Sequence, residues 1–194
     1  TVSESYGIRT DNLIVQSGTG TVNATGGDGA EDSHGIYARL NATISGGAVK
    51  ATGGAVTSSE EDGDDASSGI YANIVTISGG EVTTTGGDTE GRSCGIDADS
   101  ITINGGTITA TGGINNFTVG KDALILGNGI GPYWTGTVTV NGGKIKASTA
   151  GQGSGIGGSR SQTKVIINGG DIEAVADQYG TCLLYTSPSP RDRG

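Results

Sequence analysis

Residues 93–113 read SCGIDADSITINGGTITATGG, and this stretch decides the fold. It holds three short apolar segments, around Gly95-Ile96, Ile101-Thr102-Ile103 and Ile108-Thr109-Ala110, separated by turns. Apolar and polar residues alternate with a period of two, as in strands with one buried face. The unit recurs along the chain. Gly-Ile stands at Gly7-Ile8, Gly35-Ile36, Gly69-Ile70, Gly95-Ile96, Gly129-Ile130 and Gly155-Ile156, and four of these are Ser-x-Gly-Ile, starting at Ser5, Ser33, Ser67 and Ser93. A Gly pair follows the second segment at Gly46-Gly47, Gly79-Gly80, Gly105-Gly106, Gly142-Gly143 and Gly169-Gly170, whereas the first repeat has Gly18 and Gly20 there.

Inward positions follow from the alternation. The isoleucines of Gly-Ile are expected to stack, joined by pairs such as Ala42/Ile44, Val75/Ile77 and Ile101/Ile103 on the second segment and Val49/Ala51, Val82/Thr84 and Ile108/Ala110 on the third. Same-type residues at one offset in six units are what a solenoid needs, because each coil buries its apolar face only against its neighbours. The Gly pairs allow a sharp turn through positive φ. The expected fold is all-β: a right-handed parallel β-helix of about six coils with three short strands per coil. At about 4.8 Å per coil the rod is roughly 29 Å long. Insertions such as 55–68 and 114–128 are expected to leave from one corner, just before Gly-Ile.

Composition narrows the function classes. Gly supplies 39 of 194 residues without a Gly at every third position, which excludes collagen. No apolar run reaches the roughly 20 residues that span a bilayer as a helix. A net charge of −9 argues against a nucleic-acid partner. One His makes His-based catalysis a poor expectation.

The last segment breaks this pattern. Residues 182–192, CLLYTSPSPRD, resemble a translated sequencing-library adaptor, and two of the three prolines fall there. Residues 182–194 are therefore set aside as a non-native, disordered tail, leaving 1–181 as one repeat domain, expected to be a metagenomic fragment truncated at both ends. Cys94 is then the one native cysteine, so no intrachain disulfide is expected.

The unit SITINGGTITATGG, with Gly127-Asn128-Gly129-Ile130-Gly131 and Gly153–Gly158, resembles the Gly-Ile-Gly-Gly and ITINGGTVTATGG repeats of large surface proteins of Gram-positive bacteria. It is similar, more loosely, to calcium-dependent, pectin-binding β-helix domains. The resemblance covers about residues 5–176. It implies a secreted or cell-surface location and an adhesin-type, carbohydrate-binding role rather than catalysis.

Charge is uneven. Residues 1–99 hold 15 acids and 4 bases, and residues 100–181 hold 4 acids and 5 bases. The densest run is Glu60, Glu61, Asp62, Asp64 and Asp65, with Asp28, Glu31, Asp32, Asp88 and Glu90 in neighbouring corner loops. Carboxylates are hard ligands suited to Ca2+. The competing reading is a solvated acidic loop that keeps the rod soluble.

Aromatic residues are few, so their placement is informative. Tyr37 and Tyr71 follow Gly-Ile in adjacent repeats and are expected to stack beside the acidic corner; Tyr133 and Trp134 fall near the same edge. These four are the candidate carbohydrate contacts, and stacking between coils is the structural alternative for the tyrosines. His34 and Cys94 occupy the x of Ser-x-Gly-Ile two coils apart, about 10 Å by strand spacing. That is too far to share a zinc ion, and the offset reads as a variable surface or turn position. Residues 153–158 match G-x-G-x-x-G, but no helix follows, so nucleotide binding is rejected.

Three further functions stand beside glycan binding, for which the partner is a polysaccharide or a host or cell-wall glycan. One is a structural stalk. Another is a polysaccharide lyase, for which Arg92, Asp88 and Glu90 form the cluster to test. The last is ice binding through the threonine ladders Thr43, Thr76, Thr102, Thr139 and Thr25, Thr52, Thr85, Thr111. Lys50, Glu81, Lys144, Lys146 and Glu173 interrupt an uncharged plane and count against that. Open coil edges also predict end-to-end self-association of the fragment.

Overall fold

The computed structural model describes residues 4–29, 31–57, 65–114, 127–132, 135–158 and 162–176. The tail 182–194, and with it Cys182, lies outside the described residues. Twelve strands follow one another: β1 (Glu4–Val15), β2 (Thr21–Thr25), β3 (Asp32–Ile44), β4 (Ala48–Thr52), β5 (Ala66–Ile77), β6 (Glu81–Thr85), β7 (Arg92–Ile103), β8 (Thr107–Gly112), β9 (Thr135–Val140), β10 (Lys144–Thr149), β11 (Gln162–Ile167) and β12 (Asp171–Val175). Odd-numbered strands form one six-stranded parallel sheet in chain order, and even-numbered strands form a second. Each coil gives one strand to each sheet. The fold is an all-β parallel β-helix of six coils.

The expected ladders are present. Ile8 pairs with Ile36, Ile36 with Ile70, and Ile70 with Ile96, and single bridges continue the series to Ile130 and Ile156. Ile36, Ile70, Ile96 and Ile130 are fully buried. Val75, Ile77, Ile101, Ile103, Val82 and Ala110 close the core around them. In the two outer coils Ile8, Leu13, Val15, Val22, Val165, Ile167, Ile172 and Ala174 are partly buried against this core.

The strand count per coil differs from expectation. The first two segments run together as one long strand in β1, β3, β5 and β7, giving two strands per coil instead of three. The bend is visible in the burial of β5. Ile70 and Ala72 are buried, Asn73 and Ile74 are both exposed, and Val75 and Ile77 are buried again. Two successive outward residues switch the inward parity and turn the strand without breaking its ladder, as a bulge does. In β3 the same bend takes one more residue, with a register shift between Ala38 and Asn41. The three inward faces survive although the strands merge.

The glycines do two different jobs. The second Gly of each pair has positive φ, from +74° at Gly47 to +109° at Gly170, as a tight turn requires. The Gly of Gly-Ile is instead a close-approach position. A Cβ on Gly95 would sit 2.6 Å from the carbonyl oxygen of Gly129 and 2.7 Å from the nitrogen of Thr111. The coil is too thin there for any side chain.

The serine of Ser-x-Gly-Ile also has a mechanical role. Ser67 Oγ donates to the carbonyl of Gly54 and accepts from the N–H of Gly87, at 2.8 and 2.7 Å. Ser33 does the same with Gly27 and Gly54. One hydroxyl thus closes its own coil and ties it to the preceding one. Only a small group that both donates and accepts can satisfy both backbone partners in this buried corner.

Candidate functional site

The corner at the start of β1, β3, β5 and β7 gathers the aromatic side chains. Tyr37 and Tyr71 stack with centroids 5.3 Å apart and an interplanar angle of 8°. Tyr6 lies 4.9 Å from Tyr37, and the His34 ring lies 5.1 Å from Tyr71. Arg9 sits over Tyr6 and Tyr37 at 5.1 and 5.7 Å, and Arg92 over Tyr71 at 5.8 Å. The expected tyrosine ladder is therefore formed, and sequence reasoning missed that Tyr6 and His34 join it. Tyr37 and Tyr71 face one another, whereas Tyr6 is tilted by 45° to Tyr37. Tyr133 and Trp134 lie outside the described residues, as do Glu60, Glu61, Asp62 and Asp64.

His34 and Cys94 are not surface residues. His34 is 1% exposed and Cys94 is fully buried. The reason lies in the corner: Ser67, Ser68, Gly69 and Ile70 are four consecutive buried residues, because the chain is covered on both sides there. His34 Nδ1 accepts the N–H of Ser68 at 3.1 Å. Three ladder positions further on, Asn128 Oδ1 accepts the N–H of Ser154 in the same way. Burial, helped by the charge of Arg92, lowers the His34 pKa to about 3. Burial, and then Asp97, raise that of the Cys94 thiol.

A pH effect follows with a definite sign. The unfolded chain binds a proton at His34 below about pH 6.5, but the folded chain stays unprotonated until about pH 3. The stability of the neutral ring is complete above pH 6.5 and is lost as pH falls, by about 1.4 kcal/mol per unit. His34→Asn keeps the acceptor used at Asn128 and cannot titrate. Urea unfolding at pH 7 and pH 5 is expected to show the wild type losing about 2 kcal/mol more than this variant. Equal losses in the two proteins would contradict it.

Arg92 is the largely buried cation of this corner, Arg9 being exposed. Its Nε lies 3.9 Å from Asp97 Oδ2, with side-chain exposures of 16% and 5%. Burial opposes its charge, but Asp97, with Cys94, Tyr71 and Asp32, holds its pKa above the ordinary value. Asp65 is buried beside it, and its carbonyl accepts the Arg92 N–H. Asp88 Oδ1 accepts the N–H of Ile114, as Asp28 Oδ1 accepts that of Ala55, so each ties its corner loop to that of the next coil. Glu90 is exposed. Among the described residues no three His, Cys, Asp or Glu side chains form a group able to hold a metal ion.

A second feature is on the other sheet. Between β8, β10 and β12 runs a groove of about 290 Å3, lined by Thr107, Thr109, Lys144, Lys146, Asp171 and Glu173. Lys146 Nζ contacts Glu173 Oε1 at 3.3 Å, both side chains being largely exposed. The register aligns these residues as two rows, Thr107–Lys144–Asp171 and Thr109–Lys146–Glu173. The groove offers hydroxyl, ammonium and carboxylate groups side by side.

A family model described as beta helix repeat matches residues 43–70, 75–99, 101–132 and 138–160. The chain belongs to the beta helix repeat family. Comparison with curated proteins and with solved structures found no match. In this β-helix repeat protein the two threonine ladders separate onto different sheets. Thr43, Thr76, Thr102 and Thr139 are in register on the first. Thr25, Thr52, Thr85 and Thr111 are in register on the second, together with the charged positions.

Proposed function

We propose that this chain is a noncatalytic glycan-binding module of a secreted or surface-displayed bacterial protein, meeting its ligand along the groove between β8, β10 and β12. The observation that carries this reading is the groove itself. Its Lys144 and Lys146 stand beside Asp171 and Glu173, so the groove is balanced in charge on a chain of net charge −9 and offers two ammonium groups to a ligand. Ammonium groups beside threonine hydroxyls suit a carboxylated sugar, with charge-assisted hydrogen bonds as the stronger contacts. The noncatalytic part is supported by how the candidate groups are used: His34, Cys94 and Asp97 are buried in packing, and Asp88 bonds the backbone of the next coil.

The double variant Lys144→Glu/Lys146→Glu is expected to weaken binding of pectin or alginate fragments at least tenfold by calorimetry, about 1.4 kcal/mol. Lys164→Glu, on the other sheet, is expected to bind as the wild type does. Equal affinity of the double variant and the wild type would exclude the groove. The same titrations with Ca2+ and with a chelator address calcium at the acidic run Glu60–Asp65: a calcium-dependent gain supports it and no change removes it. A structural stalk is the second reading, favoured by the tyrosine stack, whose faces are spent on one another. The stalk is left if no glycan binds.

A further inference from the structure

The first sheet carries an outward surface quite unlike the charged second sheet. Its middle row is Thr43, Thr76, Thr102 and Thr139, in register across four coils. The row on one side is Asn41, Ile74, Ser100 and Thr137. The row on the other side continues the ladder through Ser45, Ser78, Asn104 and Asn141, whose backbone N–H groups bond to the preceding coil. None of these twelve positions is charged, and the one charge that continues the rows is Lys164, beside Thr137 in the last coil. The charges that interrupt a polar plane, Lys50, Glu81, Lys144, Lys146 and Glu173, all lie in the second sheet.

The amides are also held in place. Asn141 Nδ2 donates to Asn104 Oδ1 at 2.8 Å, and Asn168 Nδ2 donates to Asn141 Oδ1 at 2.7 Å. Each shared bond uses one of two N–H groups and one of two lone pairs, so donors and acceptors remain for a ligand. Side chains already fixed lose little freedom on binding. Sugar hydroxyls are likewise both donors and acceptors. The coil repeat of about 4.8 Å is close to the length of one residue in an extended polysaccharide. A chain running along the rod meets an equivalent set of groups at each coil.

We infer that this face binds an extended, uncharged polysaccharide lying along the rod axis. The inference rests on the glycan-binding reading but names a different face and a different ligand charge. The test is retention of the full chain on microcrystalline cellulose and on chitin, in chelator so that calcium plays no part. Retention is expected, and Thr102→Lys and Asn141→Asp are each expected to reduce it at least tenfold. Asn23→Lys, an outward change on the second sheet, is expected to leave it unaltered. Circular dichroism and melting of each variant confirm that the coil is intact. No retention on either solid, or retention indifferent to Thr102→Lys, overturns the inference. Thermal hysteresis without polysaccharide retention also overturns it and assigns the face to ice. Pectin binding that depends on Lys146 but survives Thr102→Lys leaves the groove reading standing in any of these cases, so the two fail separately.

Discussion

Gly95→Ala is expected to cost about 3 kcal/mol or more, while Gly18→Ala stays within about 0.5 kcal/mol. Both replace a glycine with the smallest chiral residue, and neither glycine has positive φ. They differ only in what the new methyl meets. At Gly18 nothing lies within 4 Å. At Gly95 the methyl runs into the Gly129 oxygen, the Thr111 nitrogen and, at 3.0 Å, the Ala110 carbonyl carbon. All three are backbone atoms of packed strands, which cannot swing aside as a side-chain tip does. The coil must open between β7 and the end of β8, and the ladders to the coils above and below go with it. Urea midpoints of the two variants against the wild type measure this. Equal midpoints for Gly95→Ala and Gly18→Ala would mean the coil is wider than described.

Arg92→Met is expected to destabilise by about 3–5 kcal/mol, the range for removing one partner of a buried ion pair. The Met side chain replaces the apolar stem but not the charge. Asp97, 3% exposed, is then left as a carboxylate in a low-dielectric corner, with Asp65 and Asp32 close by. Asp32 already has a raised pKa, because burial outweighs the pull of Arg92 and the Ala66 N–H bond. Adding Asp97→Asn removes the stranded charge, so the double variant is expected to recover most of the loss. A double variant as unstable as Arg92→Met alone would show that the guanidinium matters for its packing and not for neutralising Asp97. The penalty is also expected to shrink as pH falls through the carboxylate range, since protonation then does what the asparagine does.

Most of the fold was legible because the repeat makes each inward residue predictable from its neighbours. Ile36, Ile70 and Ile96 read as one ladder and are one. Alternation failed where the physical condition behind it fails, namely one wet face and one dry face. At Ser67–Ile70 both faces are covered, so four residues in succession are buried. His34 and Cys94, at the x position, were for that reason read as surface residues. The merging of two strands was hidden for a related reason: the segments read as separated by turns, and at Asn73-Ile74 two successive outward residues bend the strand without ending it. The tyrosine pair was readable from its offset, but the arginines that flank it come from distant parts of the corner. The separation of the threonine ladders onto two different sheets, one with charges at the neighbouring positions and one nearly without them, depends on how the coil closes, which no single repeat reveals.

The backbone bonds that hold this molecule point along its long axis, each joining a residue to its counterpart in the next coil. Tension applied at the two chain ends therefore does not load them all at once. It peels the outermost coil first and leaves the interior ones unstressed until their turn. Between successive Gly-Ile pairs the chain runs 26 to 34 residues, so each rupture pays out about 90–115 Å of slack. Under load the rod behaves as a spool that lengthens in discrete steps, with the coil as the increment of extension.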